Sequence, residues 1–217
     1  MTTLTTIQTR TVQVLRDENN TRFPLNLLEE AARIALDTFD QRLPRVVSNE
    51  LTVSTDGRDQ IFSVPEECLY LVNIRFKQSR GPELEPGTGF TYQLEGGELL
   101  IHFSGRRIPR AGEVLRVSYA ARYTLEGLDS AEATTIPESC ESALVTGTAG
   151  HACLLRATGL IEAYGPRSTD VTRWMEAGRT YLQQFSQALG MLKVLQEFGY
   201  PTGFALDEED RQGRRGF

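Results

Sequence analysis

A chain of 217 residues is long enough to bury a substantial core and fits one domain, or a domain carrying an insertion. Its 40% hydrophobic and 24% charged residues are an ordinary soluble balance, and a formal net charge of -6 argues against tight sequence-independent DNA binding, which draws on counterion release by cations. No run approaches the roughly 18 apolar residues that suggest a membrane span, and the Thr-rich start lacks the basic and apolar regions of a signal peptide.

Residues 1–44 read as helical. Leu4, Ile7, Thr11 and Val14 recur at helical spacing, although the threonines weaken this first helix. Residues 17–22 are polar and turn-like. Pro24 suits a first helical position, and Glu29 and Glu30 lie early in the second helix, where its dipole favours acids. Leu28, Ala32, Ala35, Phe39 and Leu43 mark the buried stripe, and Pro44 ends it.

Residues 45–123 switch to a period of two. Leu51 and Val53 alternate with Glu50, Thr52 and Ser54, before a turn signal at Asp56-Gly57. Tyr70, Val72, Ile74 and Phe76 are expected on one strand face, with Asn73, Arg75 and Lys77 on the other. Residues 78–89 read as a flexible loop rich in glycine and proline. Gly96-Gly97 between Leu94-Glu95 and Glu98-Leu99 predicts a hairpin with positive φ at both central positions. Leu99, Ile101 and Phe103 then alternate, as do Leu115, Val117, Tyr119, Ala121 and Tyr123. Short antiparallel strands of this kind predict a small sandwich or curled sheet.

From Pro137 the helical period returns, so residues 124–198 form the second part of the helical body. Ala143, Gly147 and Gly150 fall at i, i+4 and i+7, a nearly bare face that permits close helix–helix approach. A break is expected at Gly159 and Gly165-Pro166, after which Ser168 can cap a long helix. Trp174, Tyr181, Ala188 and Leu195 repeat every seven residues, as do Gly178, Phe185 and Leu192, the seam of a bundle or coiled coil. Residues 199–217 show no regular period. The fold class is therefore α+β: about four helices with an inserted β region and an extended C-terminal arm.

The residues capable of chemistry do not assemble into a recognisable catalytic or metal pattern. The cysteines Cys68, Cys140 and Cys153 are few and odd in number, which fits a reducing compartment better than a disulfide scaffold. Cys140 and Cys153 read as members of one helix, roughly 20 Å apart. His102 alternates away from Ile101 and Phe103 toward solvent, and His151 lies roughly 16 Å along the helix from Cys140, too far to share a metal. Glu29-Glu30 and Glu66-Glu67 are sequence neighbours that read as a helix start and a turn after Pro65. A glycosidase would need two carboxylates across a cleft. Ser139 and Ser142 lack a nucleophile elbow, and there is no Walker loop or dinucleotide fingerprint. No catalytic residue, cofactor or metal is assigned. Trp174, Tyr181 and Phe185 could stack on bases, but their spacing suits packing. Arg106, Arg107 and Arg110 form the densest internal basic patch, either a solvated loop or a contact with an acidic neighbouring subunit or passing DNA. In the closing segment Phe204 and Phe217 supply apolar anchors among Arg211, Arg214 and Arg215. It reads either as a solubilising tail or as an arm ordered by a partner.

The order helix, helix, β region, helix, long helix resembles the phage head–tail connector (adaptor) family. Residues 16–23, Arg-Asp-Glu-Asn-Asn-Thr-Arg-Phe, before a Leu- and Ala-rich helix resemble its first two helices and their turn. Ile61-Phe62-Ser63-Val64-Pro65 leading into residues 68–72 resembles its strand, proline and strand, and residues 92–99 followed by 114–119 its hairpin and final strand. Residues 135–145 resemble the start of its third helix, while Ser104-Gly105-Arg106-Arg107 stands where the family has a proline-rich turn. The resemblance runs to about Leu195. It implies a virion structural protein of the neck that is not an enzyme. Its copies would form a ring, implied as twelve-fold, docked to the portal and meeting tail or nozzle proteins. Genomic DNA would pass through the channel without tight binding. Assembly would take place in the host cytoplasm, with no membrane partner. Another ring-forming tail or baseplate component, or a sugar-binding module on a helical stalk, are the alternatives.

Overall fold

A computed structural model describes residues 2–63, 68–76, 84–164 and 169–198. Among the described residues four α-helices and two three-stranded antiparallel sheets make an α+β fold, as the periodicities predict. The chain divides into two compact units: Met1–Leu43 with Thr124–Phe217, and Pro44–Tyr123.

In the helical unit, α1 (Leu4–Leu15) begins where the Thr3 side chain accepts a hydrogen bond from the Thr6 N–H. Its buried face is Leu4, Ile7, Thr11, Val12 and Leu15. Val14, expected on that face, is exposed, because Val12 and Leu15 complete the stripe instead. The polar turn that follows is organised by Asp17. This buried carboxylate accepts hydrogen bonds from the Thr21 hydroxyl and from the N–H groups of Arg22 and Phe23, the latter two at 2.8 Å. Burial pushes its carboxyl up, but these donors outweigh that effect and hold it below the usual carboxylate value.

Pro24 has extended backbone and occupies the N-cap, so α2 (Leu25–Arg42) starts one residue later than expected. Leu28, Ala32, Ala35, Phe39 and Leu43 are all buried, joined by Ala31 and Leu36. Glu29 and Glu30 lie in the second turn, where both pair with Arg33, and Arg33 also reaches Asp129 at 2.7 Å. A short 3₁₀ turn, Glu138–Cys140, leads into α3 (Glu141–Tyr164), so Cys140 precedes the helix that carries Cys153. Helix α3 runs unbroken through Gly159, correcting the expected interruption there. It packs against α1, α2 and α4 (Thr169–Phe198). Apolar residues on more than one side suit that central position: Leu144, Val145, Ala149, Ala152, Cys153 and Ala157 are all buried. The Ser168 cap and the Gly165-Pro166 break lie outside the described residues.

In the β unit, β1 (Arg45–Thr52), β6 (Val114–Ala121) and β3 (Cys68–Phe76) form one sheet in the order β1-β6-β3. The other sheet has the order β2-β5-β4, from β2 (Asp59–Ser63), β5 (Glu98–Phe103) and β4 (Phe90–Glu95). One apolar core draws on both sheets: Leu71, Ile74, Phe76, Leu115, Val117 and Tyr119 from the first, and Phe62, Phe90, Leu99, Ile101 and Phe103 from the second. Phe76 and Phe103 bridge the sheets at 6.0 Å between ring centroids. The β4–β5 hairpin turns on Gly96 and Gly97 at φ 59° and 81°, the primed turn the sequence predicts. The expected single face of β3 does not hold. Register shifts between Cys68 and Tyr70 and between Leu71 and Asn73 reset the alternation, burying Leu71 and exposing Tyr70.

Candidate assembly surfaces

The helix pair α3–α4 is joined through its glycines. A Cβ on Gly147 would lie 2.9 Å from the Phe185 ring, and one on Gly150 would lie 2.8 Å from a Leu182 methyl. The closeness is reciprocal: a Cβ on Gly178 would meet Leu154 at 2.8 Å and the Gly150 carbonyl at 3.0 Å. Ala143 is buried on the same helix. Contacts below 3.0 Å leave no room for a methyl group, so these positions set the interaxial distance. Of the seven-residue seam, Phe185 is fully buried, whereas Trp174 and Tyr181 pack half-buried against a cluster containing Phe23, Leu28, Ala149 and Cys153. Trp174 meets Phe23 edge-on at 5.2 Å. These aromatics are packing residues of the helical body, as their spacing predicts. The Leu195 side chain lies outside the described residues.

Arg106, Arg107 and Arg110 occupy the β5–β6 connection, and its backbone is tied down. Gly57 N–H donates to the Pro109 carbonyl, Ala111 N–H to Asp56 Oδ1, and Arg110 N–H to Glu113 Oε2 at 3.0 Å. The Arg107 guanidinium lies 3.9 Å from the Phe76 ring centroid and donates to Glu113 at 2.9 Å. Burial pushes the Glu113 carboxyl up, but the Arg110 N–H and the Arg107 guanidinium outweigh it and lower its pKa. Among the described residues the guanidinium groups of Arg106 and Arg110 form no ion pair within 4 Å of a carboxylate, although the Arg110 charge also helps to lower the Glu113 pKa, and Ile108 between them is 45% exposed. The loop therefore presents two exposed cations and an apolar side chain on a tethered backbone.

A second surface was not singled out by periodicity. The outward face of the β2-β5-β4 sheet carries Ile61, 60% exposed, opposite Leu100, 37% exposed. Beside them Asp59 Oδ1 lies 2.6 Å from His102 Nδ1. Ile61, Leu100, Gln93 and this pair line a shallow depression of about 380 Å³. At the far end Glu95 and Glu98 stand directly opposite each other across the strands. The signal was present in the sequence as Ile61 and Leu100 out of phase with the core pattern, but it needs the strand pairing to become a patch.

His102 is on the solvent side, as expected, and His151 is partly buried in α3, its Nε2 without a partner among the described residues. The three cysteines are free thiols, and burial pushes Cys153 up to about 11. Among the described residues no three His, Cys, Asp or Glu side chains gather as a metal site, and no helix is long and apolar enough to cross a membrane. Phe204, Arg211, Arg214, Arg215 and Phe217 lie outside the described residues.

No family model and no curated protein matches the chain. Among solved structures it is similar to a chain in the neck of an empty gene transfer agent particle computed with C6 symmetry. That chain is 14% identical, with a TM-score of 0.27, over 76% of this chain and 86% of that one. It is also similar to a chain in the virion of a native gene transfer agent particle, 14% identical, with a TM-score of 0.28, over 70% of this chain and 77% of the other.

Proposed function

We propose that this chain is a structural neck component of a phage-like particle, a head–tail adaptor that works as one subunit of a ring docked to the portal. The reading rests on the resemblance of its element order and turn sequences to the connector family, with a β unit carried between α2 and a pair of long helices. The close glycine contacts of α3 and α4 fit a rigid helical wall. An acidic chain beside a DNA channel would let a polyanion slide instead of holding it. Residues 199–217 are the proposed portal arm, with Phe204 and Phe217 as anchors and Arg211, Arg214 and Arg215 as polar contacts. The ring is proposed as twelve-fold, contacting tail or nozzle proteins on its far side.

The sugar-binding alternative needs exposed aromatic platforms. The β unit instead buries Phe62, Phe76, Phe90, Phe103 and Tyr119, leaving Tyr70 as its large exposed aromatic among the described residues.

The test is electron microscopy of the purified chain with its portal. Rings coaxial with the portal are expected. Deletion from Thr202 onward should leave the far-ultraviolet circular dichroism of the folded units intact while portal co-sedimentation at moderate salt is lost. Normal portal binding by the folded truncation would move the contact to the helical body. Absence of any portal complex with the full chain would overturn the adaptor reading.

A further inference from the structure

The β unit carries two surfaces of opposite charge, each with an exposed apolar side chain. On the outward side of the β2-β5-β4 sheet, the strand pairing sets the side chains in rows: Asp59, His102 and Thr91; Ile61, Leu100 and Gln93; Ser63, Glu98 and Glu95. Each row is exposed, with an apolar centre between acidic borders. Glu95 and Glu98 have no cationic partner among the described residues. Like charges opposed across two strands destabilise a sheet, so an external cation placed there would relieve a standing repulsion. The β5–β6 connection has the inverse pattern, with Arg106 and Arg110 exposed on either side of exposed Ile108. Its backbone is held by Gly57, Asp56 and Glu113, so little ordering entropy is lost when it docks.

We infer that the Arg106–Arg110 loop of one copy docks on the outward β2-β5-β4 face of the next, Ile108 seating on Ile61 and Leu100 while the arginines meet Glu95, Glu98 and Asp59. The inference rests on the ring reading above and deepens it by naming one subunit contact. The two surfaces differ, so the contact is heterologous and repeats from copy to copy, which is the type that closes a ring. Opposite charges at its borders favour this register and make it salt-sensitive.

Sedimentation velocity of the full-length chain, at low and moderate salt, tests it. Arg106→Glu with Arg110→Glu, and separately Glu95→Arg with Glu98→Arg, should each weaken self-association at least tenfold. All substituted side chains are exposed, and unchanged circular dichroism verifies folding. Combining the four changes in one chain should restore association, as should mixing the two charge-reversed chains. If both reversals leave assembly unchanged while the parent still forms rings, the loop-on-face contact is overturned and the ring reading stands. Retained assembly with loss of duplex DNA binding in the arginine variant also overturns it, assigning the arginines to nucleic acid. A parent chain that stays monomeric alone and with portal rings overturns both readings.

Discussion

Asp17 shows how one side chain can hold an irregular segment. Three donors converge on its carboxylate, two of them backbone N–H groups that the α1–α2 turn leaves without partners. Asp17→Ala should therefore cost about 2 kcal/mol, the range for hydrogen bonds to a charged acceptor, measured by urea unfolding near neutral pH. Because the folded-state pKa lies below the ordinary 3.8, the contribution is complete above that value and is lost as pH falls through the folded value. The stability gap between the parent and Asp17→Asn should narrow on acidification; a gap independent of pH would mean the charge contributes nothing. His151 has the corresponding sign for a base. Burial disfavours its charged form, so stability should begin to fall as pH drops below 6.5, and His151→Leu should flatten that part of the profile. Thermal unfolding midpoints on either side of pH 6.5 would decide this.

At the scale of elements, the glycines of α3 separate into two kinds. Gly147 faces the buried Phe185 ring, whereas nothing lies within 4 Å of a Cβ added at Gly159. Alanine gains about 1 kcal/mol of helix propensity at either site. At Gly147 overpacking against the buried Phe185 ring costs roughly 1–3 kcal/mol, so Gly147→Ala should be net neutral to destabilising, and Gly147→Leu should disrupt folding or assembly. Gly159→Ala should raise stability by about 1 kcal/mol. Chemical denaturation of the two alanine variants side by side distinguishes packing from propensity, since equal stabilisation by both would refute the close approach. The strands teach a similar lesson. Their alternation was readable in β5, whose pairings are regular, and in β6, regular against β1, and misleading in β3, where two register shifts against β6 move Leu71 inward.

For the whole molecule, the decisive observation is that the first and last strands of the β unit end side by side. Arg45 and Ala121 are paired across β1 and β6, so the two ends of the unit Pro44–Tyr123 lie about 5 Å apart. A short glycine–serine linker can replace the unit without straining what remains. We expect such a chain to keep the helical signal and a cooperative thermal transition, and the excised 44–123 segment to fold through its own core. A molten excised segment would show that its core depends on the rest of the chain.

The elements and their class were legible from local spacing. Amphipathic spacing in α1 and α2, alternation in β5 and β6, and the paired glycines of the hairpin are local features, encoded within one turn or a few residues. The sequence also pointed to the bare face of α3 and the basic loop, because small or charged side chains at a fixed spacing are visible without knowing their neighbours. Packing between elements alone brings Phe185 and Leu182 over Gly147 and Gly150, and buries Asp17 so that its carboxylate collects the N–H groups five and six residues on. The acidic and apolar sheet face likewise exists only after β2 pairs with the β4–β5 hairpin, because Ile61 becomes a neighbour of Leu100 through hydrogen bonds between strands far apart in the chain.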